Sequence, residues 1–321
     1  MGMENNRVEL TPGLRSALGH TRDGEPLSNN RAPAPDLAPW VARVYATKVA
    51  AQPDHVISCG LVADTPVLRV LMGGEWTAET IYGTGRYGNE ALFFGPQTRR
   101  MPVTVKGAFA TLGVALKPGA VAALKGPAVE STLDRIIPYD HLFGDEAWGT
   151  SDQLIEWLDP ASPPERWLKV AEILLRQLVE RAGGQRPDPI VEAFDKAAFA
   201  NPNLSISGFA ADHDIGLRTF ERMIKRAYGE SPRQVLRRAR ALDIAAALRG
   251  VGDAEEAEEV ALRFYDQSHM IREFTRFFGI TPKQFAMTPQ PLMTLTLEAR
   301  QARRLEVLGR SGPGDSPPWR K

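Results

Sequence analysis

One short corner is written twice in this chain. YGESPRQ at residues 228–234 returns as FGITPKQ at residues 278–284. The offset of fifty residues extends beyond the corner, pairing Arg222 with Arg272, Ile224 with Phe274, Arg226 with Arg276, Tyr228 with Phe278 and Gln234 with Gln284. In each copy the residues at 220, 224 and 228, or at 270, 274 and 278, are apolar and recur every four positions, which predicts a helix with one buried stripe. The glycine that follows can take the left-handed conformation at no steric cost and ends that helix. Two residues later Ser231 or Thr281 caps the next helix, and Pro232 or Pro282 occupies its first turn, where a missing N–H does no harm. The repeated unit is therefore a helix stop followed at once by a helix start.

Upstream of the first corner, LSISGFAADHD predicts a shorter helix, joined by a brief turn at residues 212–216 to the helix that carries Arg218 and Arg222. A short helix, a tight turn and a second helix with a core-facing stripe make a helix-turn-helix, whose second helix can enter a DNA major groove. Two copies give two candidate recognition helices. Between them SPRQVLRRARALDIAAALRG predicts a connecting helix of about 18 residues, close to 27 Å long at ~1.5 Å per residue. That length can hold two recognition helices roughly one DNA turn, about 34 Å, apart on one face of the duplex.

Charge points the same way. The whole chain is neutral, with 39 basic and 39 acidic residues. Between Ser205 and Arg249, however, nine basic residues (Arg218, Arg222, Lys225, Arg226, Arg233, Arg237, Arg238, Arg240, Arg249) face five acidic ones. With the stripe turned inward, Arg218, Glu221, Arg222 and Lys225 lie on the other faces, where an arginine can bridge O6 and N7 of guanine. The basic residues farther along suit phosphates. The competing reading is a helical protein–protein module whose basic face is solvated.

The rest of the chain divides by texture into an α+β protein of two domains. Residues 1–35, ending in SNNRAPAPD, predict a flexible arm, and residues 300–321 a flexible tail. Residues 36–182 predict a mostly antiparallel β domain, a small barrel or a sandwich, because short apolar runs such as VTVKG and GVALK alternate between Gly and Pro punctuation. A boundary helix closes it, with Trp167, Val170, Ile173, Leu174, Gln177 and Leu178 along one stripe, packed on its own domain or forming a dimer seam. GGQRPDP at 183–189 is the linker, and 190–299 form an all-α domain with the two helix-turn-helix units. A lone cysteine, Cys59, excludes an internal disulfide and reads as a small buried hydrophobe. The polar start and the lack of any apolar run near 18 residues predict a soluble cytoplasmic protein.

Chemistry is thin elsewhere. His20, His55, His141, His213 and His269 show no metal-ligand spacing, and YGTGRYGNE lacks the setting of a phosphate loop. No catalytic residue, metal site or cofactor is assigned. An enzyme in the β domain fused to a DNA-binding module stays as an alternative that would need a titratable cluster in a pocket.

These residues resemble the AraC/XylS-type transcriptional regulators. DQSHMIREFTRFFGITPKQF (266–285) is similar to the signature that ends the family's second helix-turn-helix, and IGLRTFERMIKRAYGESPRQVLRRARALDIA to its first recognition helix, corner and linker helix. GPQTRR (95–100) and GVALKPGAVAALKG (113–126) resemble a β domain carried by a subset of these regulators. The resemblance implies a sequence-specific regulator reading two successive major-groove segments of double-stranded DNA. By position it implies base reading by Arg218, Thr219, Glu221 and Arg222 in the first helix, and by Gln267, Ser268, His269, Ile271 and Arg272 in the second. Lys225, Arg226 and Arg276 complete the DNA-binding set. A small-molecule effector, RNA polymerase and a second copy of the chain are the other partners it leaves room for. Two departures stand out. Gly216 takes the place of the usual capping Ser, so the cap is expected from Asp214, and DAEEAEEVALRF puts Asp253, Glu255, Glu256, Glu258 and Glu259 on the helix leading into the second unit.

Overall fold

The computed structural model describes residues 13–16, 18–21, 24–142, 150–252, 268–312 and 315–320. Among the described residues nine strands form one antiparallel sheet: β1 (Arg15–Ser16), β2 (Asn29–Arg31), β3 (Val41–Ala50), β4 (Val56–Leu61), β5 (Val67–Thr80), β6 (Gly83–Tyr87), β7 (Glu90–Phe94), β8 (Met101–Leu116) and β9 (Ile136–Pro138). The long strands β5 and β8 pair through most of their length and make the spine. β4 joins the first half of β8 and β3 its second half, while β7 and β6 take the corresponding halves of β5. Midway, the register slips between Gly73 and Glu75, and Gly73, Gly74 and Gly107 all have positive φ. A bulge built on glycines bends the sheet there.

Each side of the bent sheet has its own core, as the two-residue period demands. Leu68, Val70, Phe93, Leu112 and Val114 pack on helix residues Trp167, Leu168 and Leu175. Val67, Leu71, Cys59, Trp76 and Val105 belong to a second core, which runs on without a break into Leu242, Phe274, Phe285, Leu292, Met293 and Leu297. The two domains are thus joined by a common apolar interior.

The helices are α1 (Ala120–Ala123), α2 (Ser151–Glu156), α3 (Pro164–Arg181), α4 (Pro189–Ala200), α5 (Ile206–Asp212), α6 (Leu217–Tyr228), α7 (Pro232–Leu248), α8 (Ser268–Phe278), α9 (Pro282–Met287) and α10 (Pro291–Val307). Helix α3 packs on the β domain, but with a rotated stripe. Trp167, Leu168, Ala171, Leu174, Leu175 and Leu178 are buried, whereas Ile173 is 54% exposed and Gln177 is exposed. Leu168 and Leu175 take the buried positions, Val170 packs half-buried against the same core, and Ile173 faces outward.

Both chain ends differ from the expected arm and tail. Within residues 1–35, Leu14, Leu27 and Glu25 are buried, and β1 and β2 pair with β3. The Glu25 carboxylate is wholly enclosed, pairing with Arg249 at 2.6 Å and accepting from the backbone N–H of Gln290 at 2.6 Å and from the Thr294 hydroxyl. At the other end, α10 runs through residue 299 to Val307, between the sheet and the helical module. Leu292, Met293 and Leu297 are buried there, each contributing roughly 1.5–3 kcal/mol. Beyond it, Trp319 and Arg320 reach back to the buried Glu298. Long-range ion pairs and apolar burial offset the ordering entropy that local composition suggested would win.

Candidate nucleic-acid interface

The first unit closes around a small aromatic core. Phe194 of α4 meets Phe209, Phe220 and Tyr228 edge-on at 5.5, 5.3 and 6.1 Å, and Ile224 is fully buried beside them. Ser205 caps α5 by accepting from the Gly208 N–H at 3.1 Å. The start of α6 is not capped as expected. Gly216 makes no side-chain cap, and Asp214 instead adopts φ +53°, so it serves as the left-handed turn residue that lets α5 reverse into α6.

That core fixes which face of α6 looks outward. Arg218, Thr219, Glu221, Arg222, Lys225 and Arg226 are all exposed, and Phe220, Ile224, Ala227 and Tyr228 are buried. Leu217, which the sequence reading passed over, is 44% exposed at the first turn. By spacing it continues the buried stripe, yet it stands exposed, an apolar group of the kind that meets a thymine methyl.

In the second unit α8 exposes Ser268, His269, Ile271, Arg272 and Arg276 and buries Phe274, Phe277 and Phe278. Phe274 stacks on Phe278 at 4.3 Å, and both meet Phe285 of α9 edge-on. Gln267 and the acidic stretch from Asp253 to Glu259 lie outside the described residues, as does the turn of this unit.

The two corners are built alike, as the repeat predicts. Gly229 has φ +77° and Gly279 φ +70°, and Ser231 with Gln234, like Thr281 with Gln284, form reciprocal capping boxes.

Charge is distributed less evenly than the count of nine implied. Arg238 and Arg249 are buried and Arg237 and Arg240 bind Glu273 at 2.6 and 3.5 Å, so these four are spent on holding the fold rather than on phosphates. Glu25 and Glu273 are distant in sequence, and Glu230 sits in the corner eight residues before Arg238, so only the fold shows which of these charges meet. Arg218, Arg222, Arg226 and Arg233 have no ion pair among the described residues. Lys225 meets Glu130 of the β domain at 2.9 Å, both side chains being more than half exposed. Of these nine, the free positive charge is therefore gathered on α6 and the first turn of α7; in the second unit Arg272, Arg276 and Lys283 are likewise exposed with no ion pair among the described residues.

Residues 209–288 match the family model described as a helix-turn-helix domain, and residues 29–138 match a domain of unknown function (DUF6597). No curated protein matches the chain. Among solved structures it is similar to apo ToxT from Vibrio cholerae (9% identity, 76% of this chain and 96% of that one, TM-score 0.43). It is also similar to ToxT with unsaturated fatty acid bound (8%, 76% and 94%, TM-score 0.41) and to the AraC-like transcriptional activator CuxR (14%, 61% and 74%, TM-score 0.29).

Proposed function

From a helical module that is an AraC/XylS-type helix-turn-helix domain, we propose that the chain is a sequence-specific transcription regulator that reads two successive major-groove segments through α6 and α8. The observation that carries this reading is the pair of outward-facing helices on equivalent corners, with Arg218, Arg222, Arg226 and Arg233 unneutralised. Arg218, Thr219, Glu221 and Arg222 read bases in one segment, and Gln267, Ser268, His269, Ile271 and Arg272 in the other, while Lys225, Arg226 and Arg276 meet phosphates.

Control by a small molecule is part of the proposal. The β domain carries an open cleft of about 580 Å³, lined by Met72, Phe109, Ile155 and Leu158 with Arg15 and Lys48 at its polar side. Because the domains share one core, a ligand that moves the sheet also moves the reading helices.

The test is selection by the full chain from sheared genomic or randomised duplex DNA, washed at rising salt. Two short motifs about one helical turn apart are expected among the retained fragments. Uniform loss with salt and no enriched motif would leave only non-specific electrostatics and defeat the reading.

A further inference from the structure

Loop 95–100 of the β domain, GPQTRR, is firmly seated and touches both the connecting helix α7 and the second helix-turn-helix unit. Gly95 admits no side chain, since a Cβ there would stand 1.7 Å from the Thr132 carbonyl oxygen. The buried Gln97 side chain accepts from the Ala63 N–H and donates to the Gly95 carbonyl at 2.8 Å. The N–H and hydroxyl of Thr98 donate to the two Asp134 carboxylate oxygens at 2.8 and 2.6 Å.

From this seat the loop reaches in two directions. Toward the connecting helix, Arg238 in the middle of α7 has no exposed surface and donates to the Gln97 carbonyl at 3.1 Å and the Asp64 carbonyl at 3.2 Å, while pairing with Glu230 in the first corner. Toward the second unit, the Arg100 N–H donates to the carbonyl of Phe277, in the last turn of α8. Asp64 also binds Arg300 of α10, which in turn binds Asp243 of α7. The connecting helix and the end of the second recognition helix are thus fastened to one fixed strip of the β domain.

A buried guanidinium is a poor choice for stability alone, because well-packed apolar residues commonly do as well or better. Its planar fork does fix direction, and Arg238 uses it to engage three groups from three segments. Resting on the DNA-reading function above, we propose that Arg238 is a positioning residue. It pins α7 to loop 95–100, so that the β domain and not the connecting helix alone sets the separation and phase of the two recognition helices, and hence the spacing of the two DNA segments that bind together.

The experiment is selection by the full chain from a randomised duplex library, with the spacing between enriched motifs read by sequencing. The wild type, Arg238→Met, Arg238→Lys and Asp134→Gly are compared. Asp134 has φ +56°, so glycine fits its backbone while removing the carboxylate that seats Thr98, and the helical module is untouched. The wild type is expected to enrich one spacing. Arg238→Met and Asp134→Gly are expected to enrich the same two motifs at several spacings, with binding to a single motif within about twofold of wild type, and Arg238→Lys to stay between. A merely structural role would lower the folded fraction without broadening the spacing. The same single spacing in Asp134→Gly overturns the inference even if Arg238→Met fails to fold. A wild type that enriches no motif at all is a different result, since it removes the DNA-reading function on which this inference rests.

Discussion

The two corners share a local code and differ in what surrounds them. Gly229 is buried: a side chain there would meet Leu133 at 2.9 Å and the Glu130 backbone at 3.3 Å, and Ala227 accepts at 3.4 Å from the Gly119 N–H. Gly279 has the same left-handed φ, but a side chain there would meet nothing within 4 Å among the described residues. The first glycine answers to its own backbone and to the β domain, the second to its backbone alone. The second unit is anchored elsewhere, through Arg249, whose guanidinium pairs with Glu25 and also reaches the carbonyls of Phe285, Ala286 and Thr288 after α8. A repeated sequence therefore fixes equal corners, while their coupling to the other domain is decided by residues outside the repeat.

The largest expected effect tests that anchor. Glu25→Ala leaves Arg249 buried and uncompensated, which costs about 3–5 kcal/mol. A urea midpoint that moves by less than a quarter of this would mean that the N-terminal segment is not what holds the second unit.

Next come the reading faces. Arg222→Ala is expected to weaken specific DNA binding by about 1–3 kcal/mol and relax preference at one position. Arg272→Ala, measured at the same salt, is expected to do likewise in the other motif. A loss confined to Arg222 would show that only the first unit reads bases.

The glycines give a smaller, cleaner contrast. Gly279→Ala carries only the left-handed backbone cost of roughly 1–2 kcal/mol, whereas Gly229→Ala adds the contact with Leu133 and should destabilise more in thermal unfolding. Equal losses would mean that Leu133 yields freely and that the first corner is not held by the β domain.

Acid sharpens the comparison from the side of the β domain. Burial of Asp64 opposes its ionisation, but Arg300 and Arg238 outweigh this and hold its carboxyl below the ordinary carboxylate range. A depressed folded value means that its contribution is complete above the unfolded pKa, about 3.9, and is lost as pH falls through the folded value. The wild type should therefore lose stability below about pH 4, and Asp64→Asn should show a shallower slope there in urea titrations.

How much of this was legible follows from the range of each interaction. The corners were, because a left-handed glycine, a Ser or Thr cap and a proline act within a few residues, and the structure returns each in both copies. The outward set on α6 was legible from the stripe at 220, 224 and 228. The fates of Arg238 and Arg249 were not, since their partners Gln97, Asp64 and Glu25 lie far away in the chain. For the same reason residues near Glu25 read as a flexible arm and the end of α10 as a tail. Composition reports whether a segment can fold alone, and these segments are ordered by charges that belong to others.

The smallest effect concerns the contact where the β domain meets the face proposed to read DNA. Lys225 bonds Glu130 at 2.9 Å, and with both side chains over half exposed the pair contributes about 0–1 kcal/mol. DNA that takes up Lys225 as a phosphate contact must separate it from Glu130 and bring a carboxylate toward the backbone. Lys225→Ala should lower the slope of log affinity against log salt by about one and weaken all sequences alike. Glu130→Gln should do the reverse in affinity, tightening binding to every sequence, because it frees the lysine and removes the repelled charge. If Glu130→Gln leaves binding unchanged at low salt, Lys225 does not face DNA, and the phosphate contacts of the first unit rest on Arg226 alone among the residues assigned to them.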